Sequence, residues 1–298
     1  MGQRRHNDLQ TVLPVLLYGA EIWNVLSDNK LKKDKDDDIE SLQDLPQEKI
    51  HMSYCKFVLG VNKRATHDGV LGELGRFPLY INAIDRSIRF FARVKSAEND
   101  SLLNVAYRES MMLHNNGSIT WFSNIVRVFK RTNSLNYLIR VNAENVNSFC
   151  KEITSQLKDR FSNSWKRSIT QVKRNGVNPK LRTYATFKND ISRESYLKNI
   201  KDFDLRAALA KFRISAHNLH IETGRYTTPK LLPHQRTCRI CQSDKIDDEF
   251  HCVMECIGSI EDRNTLFNKL GQIEDECDKQ KFIRIMKSSD LNVNYKLS

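Results

Sequence analysis

Apolar residues recur at intervals of three and four through most of this chain, and the pattern predicts a succession of helices with few sharp turns. Pro46 suits a first helical turn, and Ile50, Tyr54, Phe57 and Val58 follow at helical spacing until Gly60, so a helix is expected over 46–59. Pro78 opens the clearest amphipathic stretch. There Ile81, Ile84, Ile88, Phe91 and Val94 share one face, which predicts a core stripe, while Arg86, Arg89 and Arg93 fall on the opposite, solvated side. Two further helical patterns, near 102–114 and 119–131, are separated by the turn signal Asn115-Asn116-Gly117-Ser118. From about Ala143 to Val172 a long helix is expected, because Ile153, Leu157, Phe161, Trp165 and Ile169 are spaced by four; this periodicity puts Phe161 and Trp165 in a core rather than on a surface for stacking. Another helix is expected from Asp202 to about Glu222, ending before Gly224. Residues 28–40, DNKLKKDKDDDIE, have almost no apolar content and read as a solvated linker.

Charge changes this picture by where it sits. The chain of 298 residues carries 48 Lys and Arg against 36 Asp and Glu, a formal net charge of +12. Residues 140–236 hold 20 of the basic residues and 8 of the acidic ones, so the whole excess lies in one third of the chain. Such a balance favours a polyanionic partner. Around the apolar stripe of the long helix stand Lys158, Arg160, Lys166 and Arg167, and the basic side continues through Lys173, Arg174, Lys180 and Arg182, all candidates for phosphate contact. The run TVLPVLLYGAEIW near the amino end is too short to cross a bilayer, which takes about 20 apolar residues. An intracellular protein, nuclear or cytoplasmic, with no membrane partner is expected.

The cysteines add chemistry. Four of the chain's 7 lie between Cys238 and Cys256. Cys238 and Cys241 form C-x2-C, and His251 and Cys256 follow as H-x4-C; two cysteines on a tight turn bind one side of an ion and a His and Cys at this spacing complete a tetrahedron from the other, which points to zinc. Four protein ligands leave no open position, so the site is expected to be structural and to fold a segment too small for a core of its own. Cys252 stands one helical turn before Cys256, and a four-cysteine site is a geometric alternative to one with His251. Cys55, Cys150 and Cys277 are expected to be small buried hydrophobes. His217 and His220, one turn apart, lack a third ligand beside them and read as satisfied histidines, and Asp247-Asp248 reads as a polar turn.

Several blocks resemble the C-terminal part of reverse transcriptases from non-LTR, LINE-type retrotransposons. They are PVLLYGAEIW (Pro14 to Trp23), IHMSYCKFVLGVNKRA (Ile50 to Ala65), VLGELGRFPLYI (Val70 to Ile81) and RISAHNLHIETGRY (Arg213 to Tyr226), then the Cys238–Cys256 cluster and Arg263. The resemblance implies that the first block belongs to a thumb region following the polymerase palm. It also implies that the cysteine-histidine cluster is a zinc-knuckle-like element, and that this part of the protein grips template RNA and target DNA. The chain departs from the family in having no Tyr or Phe followed by x-Asp-Asp, so the metal-binding aspartates of polymerase chemistry are missing.

The expected fold is mainly α, a multi-helix array with a small C-terminal zinc-binding module. It would divide into a thumb-like segment 1–27, the charged linker 28–40, a helical region 41–135, a basic helical region 140–232, a zinc-binding CCHC-type module 233–262 and a helical tail 263–298. The expected function is non-catalytic binding of an RNA or DNA backbone, with a structural zinc ion and Arg213 among the contacting residues. The missing polymerase core is a further expected partner, and no small-molecule substrate is expected. The alternative is a zinc-stabilised helical module that binds a protein.

Overall fold

The computed structural model describes residues 12–23, 42, 45–170, 180–270 and 277–287, and it is mainly helical. Its principal helices are α1 (Pro46–Leu59), α2 (His67–Leu74), α3 (Tyr80–Lys95), α4 (Leu102–Asn115), α5 (Trp121–Arg131), α6 (Val146–Thr170), α7 (Phe203–Arg213), α8 (His220–Thr223), α9 (Ile260–Leu270) and α10 (Asp278–Lys287). Among the described residues the only extended pairing is an isolated antiparallel bridge between Thr237 and Ile246. No helix among them is long and apolar enough to cross a membrane. The expected linker 28–40 lies outside the described residues.

The chain forms two compact units, one from Asn7–Met52 with Phe77–Phe161, the other chiefly from Ser53–Arg76 with Ser162–Ser298. In the first, α3 is the central element. Its stripe of Ile81, Ile84, Ile88, Phe91 and Val94 is buried as the spacing predicts, and Phe91 meets the rings of Tyr107 and Phe129 edge-on at 6.0 and 5.7 Å and that of Phe122 at a tilt at 6.3 Å. Full burial of each such side chain stabilises the fold by about 1.5–3 kcal/mol. The opposite face is less freely solvated than expected: Arg89 pairs with Asp85 one turn earlier at 2.8 Å, and Arg86 donates to the Leu17 carbonyl at 3.0 Å. The next two helices start where a hydroxyl satisfies the exposed first turn, Ser101 accepting from the Asn104 N–H and Thr120 from that of Ser123. Lys95, at the end of α3, donates to the Leu138, Ile139 and Val141 carbonyls, where a cation suits the open end of the short helix Tyr137–Arg140.

In the second unit the segment after Leu59 turns at Gly60 and enters α2, capped by the Thr66 hydroxyl and closed by Gly75. Gly75 has φ +62°, and a Cβ there would stand 2.3 Å from the Arg193 backbone nitrogen, so both conformation and close approach require glycine. Trp165 and Ile169 of α6 are buried as the spacing predicts, and the Trp165 indole donates to the Asp68 carbonyl at 2.8 Å. A charged network fills the interior. Glu73 of α2, fully buried, receives Arg213 through Nε at 2.9 Å and Nη2 at 3.1 Å, and the Tyr196 hydroxyl at 2.6 Å. Arg213 also reaches Glu194 at 2.8 Å and the Met286 carbonyl of α10, and lies over the Phe187 ring at 4.7 Å. Burial alone would lower the pKa of this guanidinium; the Glu73 carboxylate overrides that and raises it.

Two expectations need correction here. The helix expected over 202–222 ends at Arg213. Ser215 takes φ +55°, the Ala216 N–H closes the helix on the Lys211 carbonyl at 2.8 Å, and the buried Ser215 hydroxyl donates to Glu249 at 2.7 Å. A distant carboxylate therefore sets this break, and local helical spacing carries no sign of it. Cys277, expected as a buried hydrophobe, is exposed just ahead of α10, where its carbonyl accepts from the Gln280 and Lys281 N–H groups; Cys55 and Cys150 are buried.

Candidate metal centre

The four residues picked out by spacing come together in the second unit. Cys238, Cys241, His251 and Cys256 each present a ligand atom, and all four atoms lie within 4.8 Å of one another. The first pair sits on a hairpin-like turn: the Cys238 N–H donates to the Lys245 carbonyl and the Asp247 N–H to that of Arg236, both at 2.9 Å, and Gln242 turns the chain with φ +51°. The second pair sits on a single wide helical turn, His251–Glu255, which the Cys256 N–H closes on the His251 carbonyl at 2.8 Å.

Two of the separations fit a tetrahedral ion. Metal–sulfur bonds of about 2.3 Å and metal–nitrogen bonds of about 2.0–2.1 Å at tetrahedral angles place sulfurs ~3.8 Å apart and sulfur from nitrogen ~3.5 Å. Cys238 Sγ and Cys256 Sγ are 3.8 Å apart, and Cys241 Sγ is 3.4 Å from His251 Nε2. Cys252 stands outside this group, only partly buried, with its thiol pushed up to about 12 by burial and by Asp247. Of the two ligand sets open in the sequence, the structure assembles the one with His251.

The surroundings prepare the ligands. His251 Nδ1 lies 3.2 Å from Glu255 Oε2, so that nitrogen carries the proton and Nε2 keeps a free lone pair facing the cysteines. Asp248 Oδ1 accepts the His251 N–H at 2.9 Å and fixes the start of the turn, and Arg263 donates to the Cys256 carbonyl at 3.1 Å. Side-chain and backbone hydrogen bonds from Ser243 hold the Cys241 thiol below its ordinary range, which favours the thiolate that a metal binds. Burial pushes the Cys238 thiol up to about 11, so metal uptake must displace its proton. Gly258 packs flat under the site, since a Cβ there would stand 2.3 Å from Ile240 Cγ2.

Glu255, Ser243 and Glu249 are not among the residues the sequence analysis selects. Glu255 had a legible signal, a carboxylate four residues after a ligand histidine on a helical turn. Replacing it as Glu255→Gln is expected to weaken metal affinity about 10- to 100-fold with the ligands intact, measured by competition with a chromophoric chelator. Glu249 had none. It is fully buried and accepts from Arg182 at 2.8 Å, Thr183 at 2.7 Å, Ser215 at 2.7 Å and His217 at 2.8 Å. Burial would raise its pKa, but the His217 hydrogen bond and the Arg182 charge hold it at about 2.

His217 is thus satisfied, as expected, and so is His220. Arg239 donates to His220 Nε2 at 2.8 Å, so Nδ1 carries the proton and donates to the Thr237 carbonyl at 2.9 Å. Asp247 and Asp248 behave as a polar turn: Asp247 Oδ2 takes the His220 N–H at 2.6 Å while Asp248 serves His251.

The basic candidates divide. Lys158 and Arg160 are exposed in the first unit, Lys158 over the Phe77 ring at 5.5 Å and Arg160 donating to the Arg131 carbonyl at 3.0 Å. Lys166 and Arg167 are exposed in the second. Lys173 and Arg174 lie outside the described residues. Lys180 is half-buried and donates to the Arg64 carbonyl at 2.9 Å. Two candidates are corrected. Arg213 is buried among Glu73, Glu194 and Met286, and Arg182 is spent on Glu222 and Glu249 at 3.3 and 2.8 Å, so neither presents its charge to a surface ligand. Comparison of the chain with protein-family models, with curated proteins and with solved structures returned no match.

Proposed function

We propose that this chain is a non-catalytic nucleic-acid-binding module of the kind found in the C-terminal part of non-LTR retrotransposon reverse transcriptases, built around a structural zinc ion. The observation that carries the reading is the set of three cysteines and one histidine gathered within 4.8 Å, with the Cys238–Cys256 and Cys241–His251 pairs at tetrahedral separations. Three thiolates and an imidazole select zinc among the common cellular cations, and with four protein ligands the ion supplies shape rather than chemistry. The binding role rests on the basic excess of residues 140–236 and on the exposure of Lys158, Arg160, Lys166 and Arg167. The non-catalytic role rests on the missing polymerase aspartates and on Asp247 and Asp248 being engaged with backbone N–H groups.

The test is a fluorescence-anisotropy titration of the full chain with single-stranded RNA and DNA oligonucleotides between roughly 50 and 200 mM salt. The logarithm of the binding constant should fall with the logarithm of salt by about 0.7 per phosphate contact, and the double reversal Lys166→Glu with Arg167→Glu should flatten that slope by between about one and two. A slope near zero for the unaltered chain would remove the proposal.

A further inference from the structure

Tyr226 is an exposed aromatic on a stiff mount. Its side chain is 55% exposed, yet the backbone around it is tied at every turn. The Tyr226 N–H donates to the Thr223 carbonyl at 3.0 Å, the Leu231 N–H returns to the Gly224 carbonyl at 3.2 Å, and the Thr227 hydroxyl donates to that same carbonyl at 3.0 Å. The Arg236 guanidinium then clamps both ends, donating to the Ile221 carbonyl at 2.8 Å and the Leu231 carbonyl at 2.7 Å. Burying a tyrosine would recover apolar area. This one is held out instead, with one ring face carrying the Arg64 guanidinium at 4.8 Å.

Cations gather around it. The Lys180 ammonium donates to the Arg64 carbonyl at 2.9 Å, and the Lys56 ammonium to the Lys63 carbonyl at 2.8 Å, so both are anchored through neutral oxygens. Burial, together with Arg225 and Arg64, pushes the Lys180 ammonium below its ordinary range against the opposing pull of Glu222, and burial with Lys180 does the same to Lys56. Glu222 is the carboxylate that pulls on Lys180, and it is already paired with Arg182 and Arg225. Like charges held this closely are unfavourable unless an anion joins them. These residues come from three separate stretches, 56–64, 180 and 225–226, and folding alone assembles them.

From this arrangement we infer that Tyr226 and Arg64 form a stacking platform for one unpaired base, with Lys56 and Lys180 holding the flanking phosphates of a single-stranded nucleic acid. A base has a flat face for the ring and a phosphate on either side, which matches an aromatic set among cations. The inference rests on the nucleic-acid reading above and specifies where in the second unit the strand is gripped.

The experiment compares the full chain with Tyr226→Ala, Tyr226→Trp and Lys180→Glu. Each is titrated by anisotropy with a pyrimidine oligonucleotide and with an abasic oligonucleotide of equal length and charge. Tyr226→Ala should weaken binding of the base-bearing strand roughly tenfold and leave the abasic strand unchanged, while Tyr226→Trp should bind normally and show its indole fluorescence quenched by the base-bearing strand alone. Lys180→Glu should weaken both strands and reduce the salt slope by about one. If the unaltered chain binds with a steep salt slope but Tyr226→Ala binds both strands as well as it does, the platform is overturned and the nucleic-acid reading stands. Equal weakening for both strands likewise overturns stacking. A chain that binds neither strand removes both. Circular dichroism of each variant separates a lost contact from a lost fold.

Discussion

Purified protein will carry one zinc ion per chain, and stripping it will melt the Cys238–Cys256 region. The binding energy of an ion held by such a ligand set is also folding energy, because the four ligands meet only in the folded state. Structural zinc in small modules is worth about 10–16 kcal/mol of apparent binding energy near neutral pH. Even a fraction of that, about 5 kcal/mol, lowers the melting temperature of a chain this size by roughly 10 °C. Cys238→Ser and Cys256→Ser should each reproduce the effect of EDTA, since each removes a thiolate from a pair 3.8 Å apart. Cys252→Ser should not, because Cys252 lies outside the ligand group. Elemental analysis and differential scanning fluorimetry with and without chelator decide the matter. Melting indifferent to EDTA, or a Cys252→Ser chain that loses its metal, would contradict the ligand assignment.

Replacing Arg213 will cost about 3–5 kcal/mol of stability, although it looks from its charge like a surface residue. Arg213→Met leaves Glu73 fully buried with the Tyr196 hydroxyl in place of a guanidinium, and leaves Glu194 to Lys188. An uncompensated carboxylate in an interior is expensive because neither water nor a counter-charge reaches it. Joint replacement, Glu73→Leu with Arg213→Met, should recover a large part of the loss, since it removes both the charge and the need to neutralise it. Urea denaturation of the two single variants and the double variant gives the coupling energy directly. A single-variant cost below about 1 kcal/mol would mean that water enters the site and the network carries little of the fold.

The helices α1 and α3 are legible in the sequence because a proline opens each, and α3 and α6 because their apolar positions repeat at helical spacing and are buried; such information is local. The metal ligands are legible for a similar reason: C-x2-C and H-x4-C are each a single turn, and only their meeting is tertiary. In α1 the repeat itself misleads, since Ile50 and Phe57 are exposed and Cys55 and Leu59 are buried instead. What depends on distant partners is not legible. Arg213 sits in a basic stretch, and only the arrival of Glu73 from a segment far off in the sequence turns it from a phosphate candidate into a buried counter-ion. The end of α7 and the engagement of Arg182 both follow from Glu249, which in the sequence is one acidic residue beside two aspartates. The cations around Tyr226 come from three stretches with no shared motif.

Glu249 also bears on how the protein can be cut. It stands two residues before His251, and its four donors, Arg182, Thr183, Ser215 and His217, all come from upstream segments. A peptide beginning just ahead of Cys238 would retain every ligand but strand this carboxylate without its donors. The smallest excisable piece that keeps the four candidate ligands placed as they are in the full chain must therefore start before Arg182.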